Sequence, residues 1–299
     1  MPDYIHGVTS APDPSDGRPA AGAAIGVVPV CHDDRQAPGG CAALRELHGT
    51  TLLARSVAAL QRCGVVGEIV VAVPPVLVLA VRDLLAVDTP PAPAAAAPAA
   101  SGGGGSAAGG PALGAPVGPG AAVVRVSAVP ENGPGYRVRA ALRLVDPPAD
   151  RPVVVHDPLY PLAPGSLVRA VLRALVDDDP RDGGCVVAVP VRPVTDTLKW
   201  VDQDDVVLGM ADRALFRMVY SPQAYWPAGL ASTLDAAGDE QLRADGAAVL
   251  PGLIQAAGGR LLPVPAPGEV FRISTEEDLI LAEAMLHVGA GSDTDAAGN

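Results

Sequence analysis

Lysine is almost missing from this chain: 20 of its 21 basic residues are arginine, and Lys199 is the single exception. Aromatic residues are scarce as well, at 3%, while Ala, Gly and Pro abound. That combination has the look of a coding bias, so the lack of lysine carries no functional meaning by itself. Positive charge as a class is also short, with 33 acidic residues giving a net charge of -12. Such a balance argues against a protein that coats nucleic acid or an anionic membrane, since both need a basic face. Any anionic ligand must be held by a few local basic groups. No run of 18 apolar residues suggests a membrane span, and the opening "MPDYIHGVTSAPDPSDGRPA" has no apolar stretch behind a basic patch. A cytoplasmic protein is the expectation. The four cysteines, Cys31, Cys41, Cys63 and Cys185, lack C-x-x-C spacing and the density of a disulfide scaffold, so reduced thiols are expected. Five dispersed histidines without H-x-x-x-H spacing argue against a zinc site.

A chain of 299 residues with 49% hydrophobic content can build one large domain or two small ones. Short runs rich in Val and Ile recur at 24–30, 68–74, 122–127, 152–157 and 185–190. Each reads as a strand buried on both faces. Between them, residues 50–63, 75–87, 136–145 and 164–178 carry apolar residues at helical spacing. Strand and helix alternate, which predicts an α/β fold, a mainly parallel sheet with helices on both faces. Residues 89–121 interrupt this pattern with Ala, Gly and Pro and no charged side chain. Only two strands precede them, too few for a separate sheet, so they read as an unstructured insertion in a single domain spanning 23–287. The ends, 1–22 and 288–299, read as solvated tails. In "FRISTEEDLILAEAML", Ser274 with Glu277 three residues on forms a capping-box pattern, predicting a helix that begins near Thr275. The arginines at 137, 139 and 143 read as one exposed helix face.

Five stretches stand in a telling order: "VVVHD" (153–157), "VPVRPVTDTLK" (189–199), "ADRALF" (211–216), "YSPQ" (220–223) and "EVFRISTEEDLILAEAML" (269–286). In order and spacing they resemble the 2-C-methyl-D-erythritol 4-phosphate cytidylyltransferases, over about residues 23–287. The resemblance implies a Rossmann-like nucleotidyltransferase fold with a protruding dimerisation arm at about 200–216, through which two subunits clasp each other. It implies transfer of CMP from CTP to a sugar-alcohol phosphate, assisted by Mg2+, with release of pyrophosphate. That chemistry asks little covalent work of the protein, so cations and backbone donors around the phosphates would do most of it.

Carried over position by position, the resemblance assigns Asp196, Thr197, Arg213, Ser221 and Arg272 to the acceptor, with Arg272 standing where lysine is usual. Pro29 and Asp157 fall to the nucleotide, and Asp157 also to the metal, at the C-terminal end of a strand where ligands of open parallel sheets bind. Asp157 can equally be read as a turn-capping acid. Lys199 matches the basic residue at the root of the arm and Arg35 the arginine of the triphosphate loop, and these two are the catalytic candidates. A solvated or ion-paired Lys199 is the alternative.

The nucleotide half departs from the pattern. "CHDDRQAPGGCAALRELHG" follows the first strand where a loop of small residues, an arginine and Pro-Lys are expected. Asp33 and Asp34 bring negative charge, and Ala42 or Ala43 occupies the lysine position. Tyr160 replaces an arginine after the H-D pair, and Arg137 replaces a serine that would touch the cytidine. Two readings follow: a cytidylyltransferase with a rebuilt triphosphate loop, or a non-catalytic relative that binds or regulates.

Overall fold

The computed structural model describes residues 23–31, 41–86, 122–178 and 185–295. The expected N-terminal tail and insertion lie outside the described residues, as do Asp33, Asp34 and Arg35. The described chain runs β1 (Ala24–Pro29), β2 (Glu46–Leu47), β3 (Thr50–Thr51), α1 (Leu52–Arg62), β4 (Val66–Val73), α2 (Val78–Leu84), β5 (Val123–Ala128), α3 (Pro134–Val145), β6 (Val153–Val155) and α4 (Gly165–Asp177). It continues through β7 (Val186–Pro193), β8 (Lys199–Val201), β9 (Val207–Met210), β10 (Arg217–Val219), β11 (Gln223–Tyr225), α5 (Pro227–Ala236), α6 (Asp239–Arg243), α7 (Val249–Ala256), β12 (Arg260–Pro265) and α8 (Glu276–Asp295).

β1 lies between β4 and β6 and is parallel to both. β5 extends the sheet beyond β4, and β12 runs parallel to β7 at the other side. The antiparallel strand β11 joins β6 to β7 and was not foreseen from the sequence. Its three residues are too few to carry a periodicity. Successive side chains of these strands enter two cores on opposite faces of the sheet, as a two-residue repeat demands. Val28, Ile69, Val71, Val154 and Ala188 face a core shared with α1 and α4. Ile25, Val27, Val70, Val155 and Val187 face a second core with α3, α5 and α7. The α/β architecture with helices on both faces is therefore present.

Three details differ from the sequence expectations. β5 is exposed or half-buried at every residue but Val126, because it forms an edge with only β4 beside it in the sheet. The cap of α8 is Thr275 rather than Ser274: Thr275 Oγ1 accepts from Asp278 N at 3.2 Å while Asp278 Oδ2 accepts from Thr275 N at 2.9 Å. "TEED" competes with "STEE" for the same box, and Asp278 also takes the Ser274 N–H at 2.9 Å, which settles the register. The helix then runs to Asp295, past the expected end at 287, since extending a formed helix adds one backbone hydrogen bond per residue.

Candidate active site

The chain passes from β1 outward to β4 and β5, then returns to β6 on the other side of β1. That reversal opens a crevice at the C-terminal ends of the strands, the usual ligand position in open α/β sheets. A cleft of about 760 Å³ lies there, with Pro29, Asp157, Ser221 and Arg272 in its wall.

Each of these side chains has a local reason for its position. β6 ends because Asp157 precedes Pro158, which has no N–H to continue the ladder, and Asp157 Oδ1 accepts from Leu159 N at 2.9 Å to start a turn. The other oxygen, Oδ2, accepts from Arg272 Nε at 3.1 Å. Asp157 is thus both turn acid and cleft acid. Arg272 Nη2 donates to Asp245 Oδ2 at 2.6 Å, so one guanidinium bridges two carboxylates. Burial raises the Asp157 carboxyl above its ordinary value, and Arg272 pulls it back down. Burial works against the charge of Arg272, but Asp157 and Asp245 outweigh it and hold the guanidinium above its ordinary value.

Ser221 is buried, and its Oγ accepts from Asp157 N at 2.9 Å. His156 Nδ1 is 3.1 Å from the same oxygen. The resemblance gives this hydroxyl to the acceptor, yet here it ties β11 to the end of β6. Gln223 does similar work: its Nε2 donates to Tyr220 O at 2.9 Å and to Ala247 O at 2.5 Å, fixing the loop that carries Asp245. Arg192 braces the Arg272 segment, donating to Gly268 O at 2.8 Å and Val270 O at 3.1 Å while its guanidinium lies 4.4 Å from the Tyr220 ring centre.

The remaining expected residues do not join this cleft. Asp196 and Thr197 are exposed at the root of the arm, where Arg213 donates to the Thr195 carbonyl. Lys199 is exposed on β8, paired across the hairpin with Met210, and is not part of the cleft wall. Arg35 lies outside the described residues. The Arg137 side chain is turned inward rather than to an exposed face, because Val129 O accepts from its Nη1 at 2.9 Å and Asn132 Oδ1 from its Nη2 at 3.3 Å. Beside it, burial pushes the Cys31 thiol up to about 12 despite the Arg137 charge. A neutral thiol there is no nucleophile.

Asp245, Gln223, Arg192 and Arg45 were missed as site residues. "ADG" at 244–246 signals only a turn, and Arg45 follows "CAAL" with no periodic pattern. Their roles arise from partners far away in sequence.

The sequence model of the 2-C-methyl-D-erythritol 4-phosphate cytidylyltransferase family matches residues 135–288. The chain is 33% identical to the enzyme of that name from Frankia casuarinae over 261 residues, 87% of this chain and 80% of the relative. It is 30% identical to that from Streptomyces avermitilis over 286 residues, covering 93% and 95% of the two. Among solved structures, the cytidylyltransferase from Thermus thermophilus superposes with a TM-score of 0.53 at 27% identity, over 87% of this chain and 98% of the other. The 4-diphosphocytidyl-2C-methyl-D-erythritol synthase from Anaerococcus prevotii shares the fold with a TM-score of 0.61 at 16% identity, over 89% and 99%.

Proposed function

Since this chain belongs to the 2-C-methyl-D-erythritol 4-phosphate cytidylyltransferase family, we propose that it transfers CMP from CTP to 2-C-methyl-D-erythritol 4-phosphate, a step of isoprenoid biosynthesis. The observation that carries the reading is Arg272 bridging Asp157 and Asp245 in a cleft at the strand C-termini. A phosphate oxygen of the acceptor attacks the α-phosphorus of CTP. One P–O bond forms, the bond to the β-phosphate bridge breaks, and pyrophosphate leaves. Arg272 faces the phosphates and offsets the charge that gathers on them, while its two carboxylates fix its direction before substrate arrives. Ser221 and Gln223 act indirectly, holding the Asp157 turn and the Asp245 loop.

Asp157 and Asp245 offer hard carboxylate oxygens of the kind Mg2+ takes. Among the described residues no group of three His, Cys, Asp or Glu side chains gathers, so phosphate and water would complete the shell of such an ion. When bound, Mg2+ would neutralise part of the triphosphate charge.

The arm exposes an apolar surface: Trp200, Val207, Leu208, Met210 and Leu215 are all more than half exposed. This supports a homodimer in which the arms clasp. Asp196, Thr197 and Arg213 would then contact acceptor in the cleft of the second copy, which accounts for their distance from the cleft of their own. Leu208→Glu with Met210→Glu is expected to convert the dimer to a monomer in sedimentation analysis. An unchanged mass would remove the arm as the interface. Arg213→Ala should weaken acceptor binding by on the order of 1.5–3 kcal/mol, the range for a charge-assisted hydrogen bond, and unchanged affinity in calorimetry would cancel the assignment.

No helix among the described residues is long and apolar enough to cross a membrane, and a cytoplasmic location agrees with that. The activity itself is tested by pyrophosphate release from CTP, Mg2+ and the acceptor. Release supports the enzyme; acceptor binding without release supports a non-catalytic relative instead.

A further inference from the structure

Among the described residues, the cleft wall contains three carboxylates, Asp157, Asp245 and Glu276, against two guanidinium groups, Arg45 and Arg272. A nucleoside triphosphate brings about four negative charges, and each unscreened like-charge contact opposes binding. Cationic groups able to turn to the phosphates therefore decide whether the nucleotide binds. Arg272 is held from two sides by Asp157 and Asp245. Arg45 is held more weakly. Its Nη2 pairs with Glu276, whose side chain is 69% exposed, and its Nη1 lies 3.4 Å from the Thr275 carbonyl. With a single carboxylate partner, itself open to solvent, Arg45 has less to give up on turning to a phosphate than Arg272 with two.

Local geometry points the same way. Ala42–Leu44 form a single 3-10 turn, closed by Arg45 N donating to Ala42 O at 3.1 Å. Ala42, Ala43 and Arg45 all stand in the cleft wall, and Ala42 or Ala43 occupies the position where the resemblance calls for lysine. The Arg45 backbone is fixed on its far side as well, its carbonyl accepting from Leu52 N at 2.9 Å. A long, always-charged side chain on an anchored turn can supply from residue 45 what residue 42 or 43 lacks, and its planar fork suits phosphate oxygens.

We infer that Arg45 is the triphosphate-binding cation that replaces the missing lysine, with Glu276 holding it until nucleotide arrives. On binding, the guanidinium leaves the Glu276 carboxylate for the β- or γ-phosphate, and Glu276 turns to solvent. The inference rests on the cytidylyltransferase reading and assigns the nucleotide half of that site a residue of its own.

The two members of the pair should then act in opposite directions, which a structural ion pair would not do. Calorimetric titration of full-length wild type, Arg45→Ala and Glu276→Gln with CTP and Mg2+, and separately with CMP, separates the cases. Arg45→Ala is expected to weaken CTP binding at least tenfold and CMP binding less than threefold, because only CTP carries the outer phosphates. Glu276→Gln is expected to tighten CTP binding about two- to fivefold by removing the competing anion, and it provides the test even if Arg45→Ala fails to fold. If the wild type binds CTP and Arg45→Ala binds it equally well, the inference fails while the enzyme reading stands. Loss of CTP affinity in both variants makes the pair structural and also overturns it. A wild type without CTP affinity removes both the reading and the inference.

Discussion

Arg272→Ala is expected to lower kcat/KM for cytidylyl transfer by about 10²- to 10³-fold, the range for removing one preorganised donor from a developing anion. In the proposed site its guanidinium would offset the two cleft carboxylates it bridges when a polyphosphate binds. Without it, Asp157 and Asp245 present unopposed negative charge to CTP, and the substrate loses a charge-assisted contact as well. Asp157 should respond too. Arg272 is what pulls its carboxyl down against burial, so in the variant that carboxyl should stay protonated to higher pH. Lysine at 272 keeps the charge but has no fork to span both acids, and should recover only part of the rate. Pyrophosphate release at matched substrate concentrations measures all three proteins. A rate within threefold of wild type for Arg272→Ala would remove Arg272 from the phosphate site.

The parts of this molecule that were readable in the sequence share a physical basis. β1, β4, β6 and β7 are covered on both faces, and burial of both faces is what turns a strand into a continuous Val/Ile run. Asp157 had a local reading, an acid at the C-terminal end of a strand that serves as turn acid, and the structure shows it accepting from Leu159 N. Arg272 was named only through the resemblance, because no local pattern marks an arginine ahead of a helix cap as a cleft residue. What escaped was created by contact between distant segments. Asp245 becomes a site residue only when Gln223 pins the neighbouring Ala247 carbonyl, and Arg192 matters only because residues 268–270 return beside β7. Arg137 shows the limit from the other side. Its helix position suggested solvent, but carbonyl and amide oxygens from 129–132 draw its guanidinium inward. Periodicity reports which face meets the core; it does not report which polar atoms wait there.

His156 is expected to give the protein an acid limb that a variant can remove. The ring is fully buried, and that burial pushes its pKa down to about 3. In the unfolded chain the same group titrates near 6.5. Above about pH 6.5 both states are neutral and the histidine contributes nothing to the pH dependence. Between about pH 6.5 and 3 the unfolded chain binds a proton that the folded chain refuses, so stability falls as pH falls, by up to about 1.4 kcal/mol per pH unit. Asp157 acts in the opposite sense near its own range, since its raised carboxyl binds a proton more readily in the folded state. The clean readout is therefore the difference between wild type and His156→Asn. Urea unfolding at intervals from pH 7.5 to 4.5 should give a flatter profile for the variant, whatever its absolute stability, and parallel profiles would mean that His156 is not held neutral. The consequence reaches the site: a ring that never charges across this range keeps its contact with Ser221 Oγ. Asp157 N donates to that same oxygen, so the turn presenting the Asp157 carboxylate to Arg272 does not titrate with the histidine. Loss of activity below neutral pH should then follow the substrate phosphates and the raised Asp157 carboxyl, with the buried imidazole limiting only how far the fold itself can be acidified.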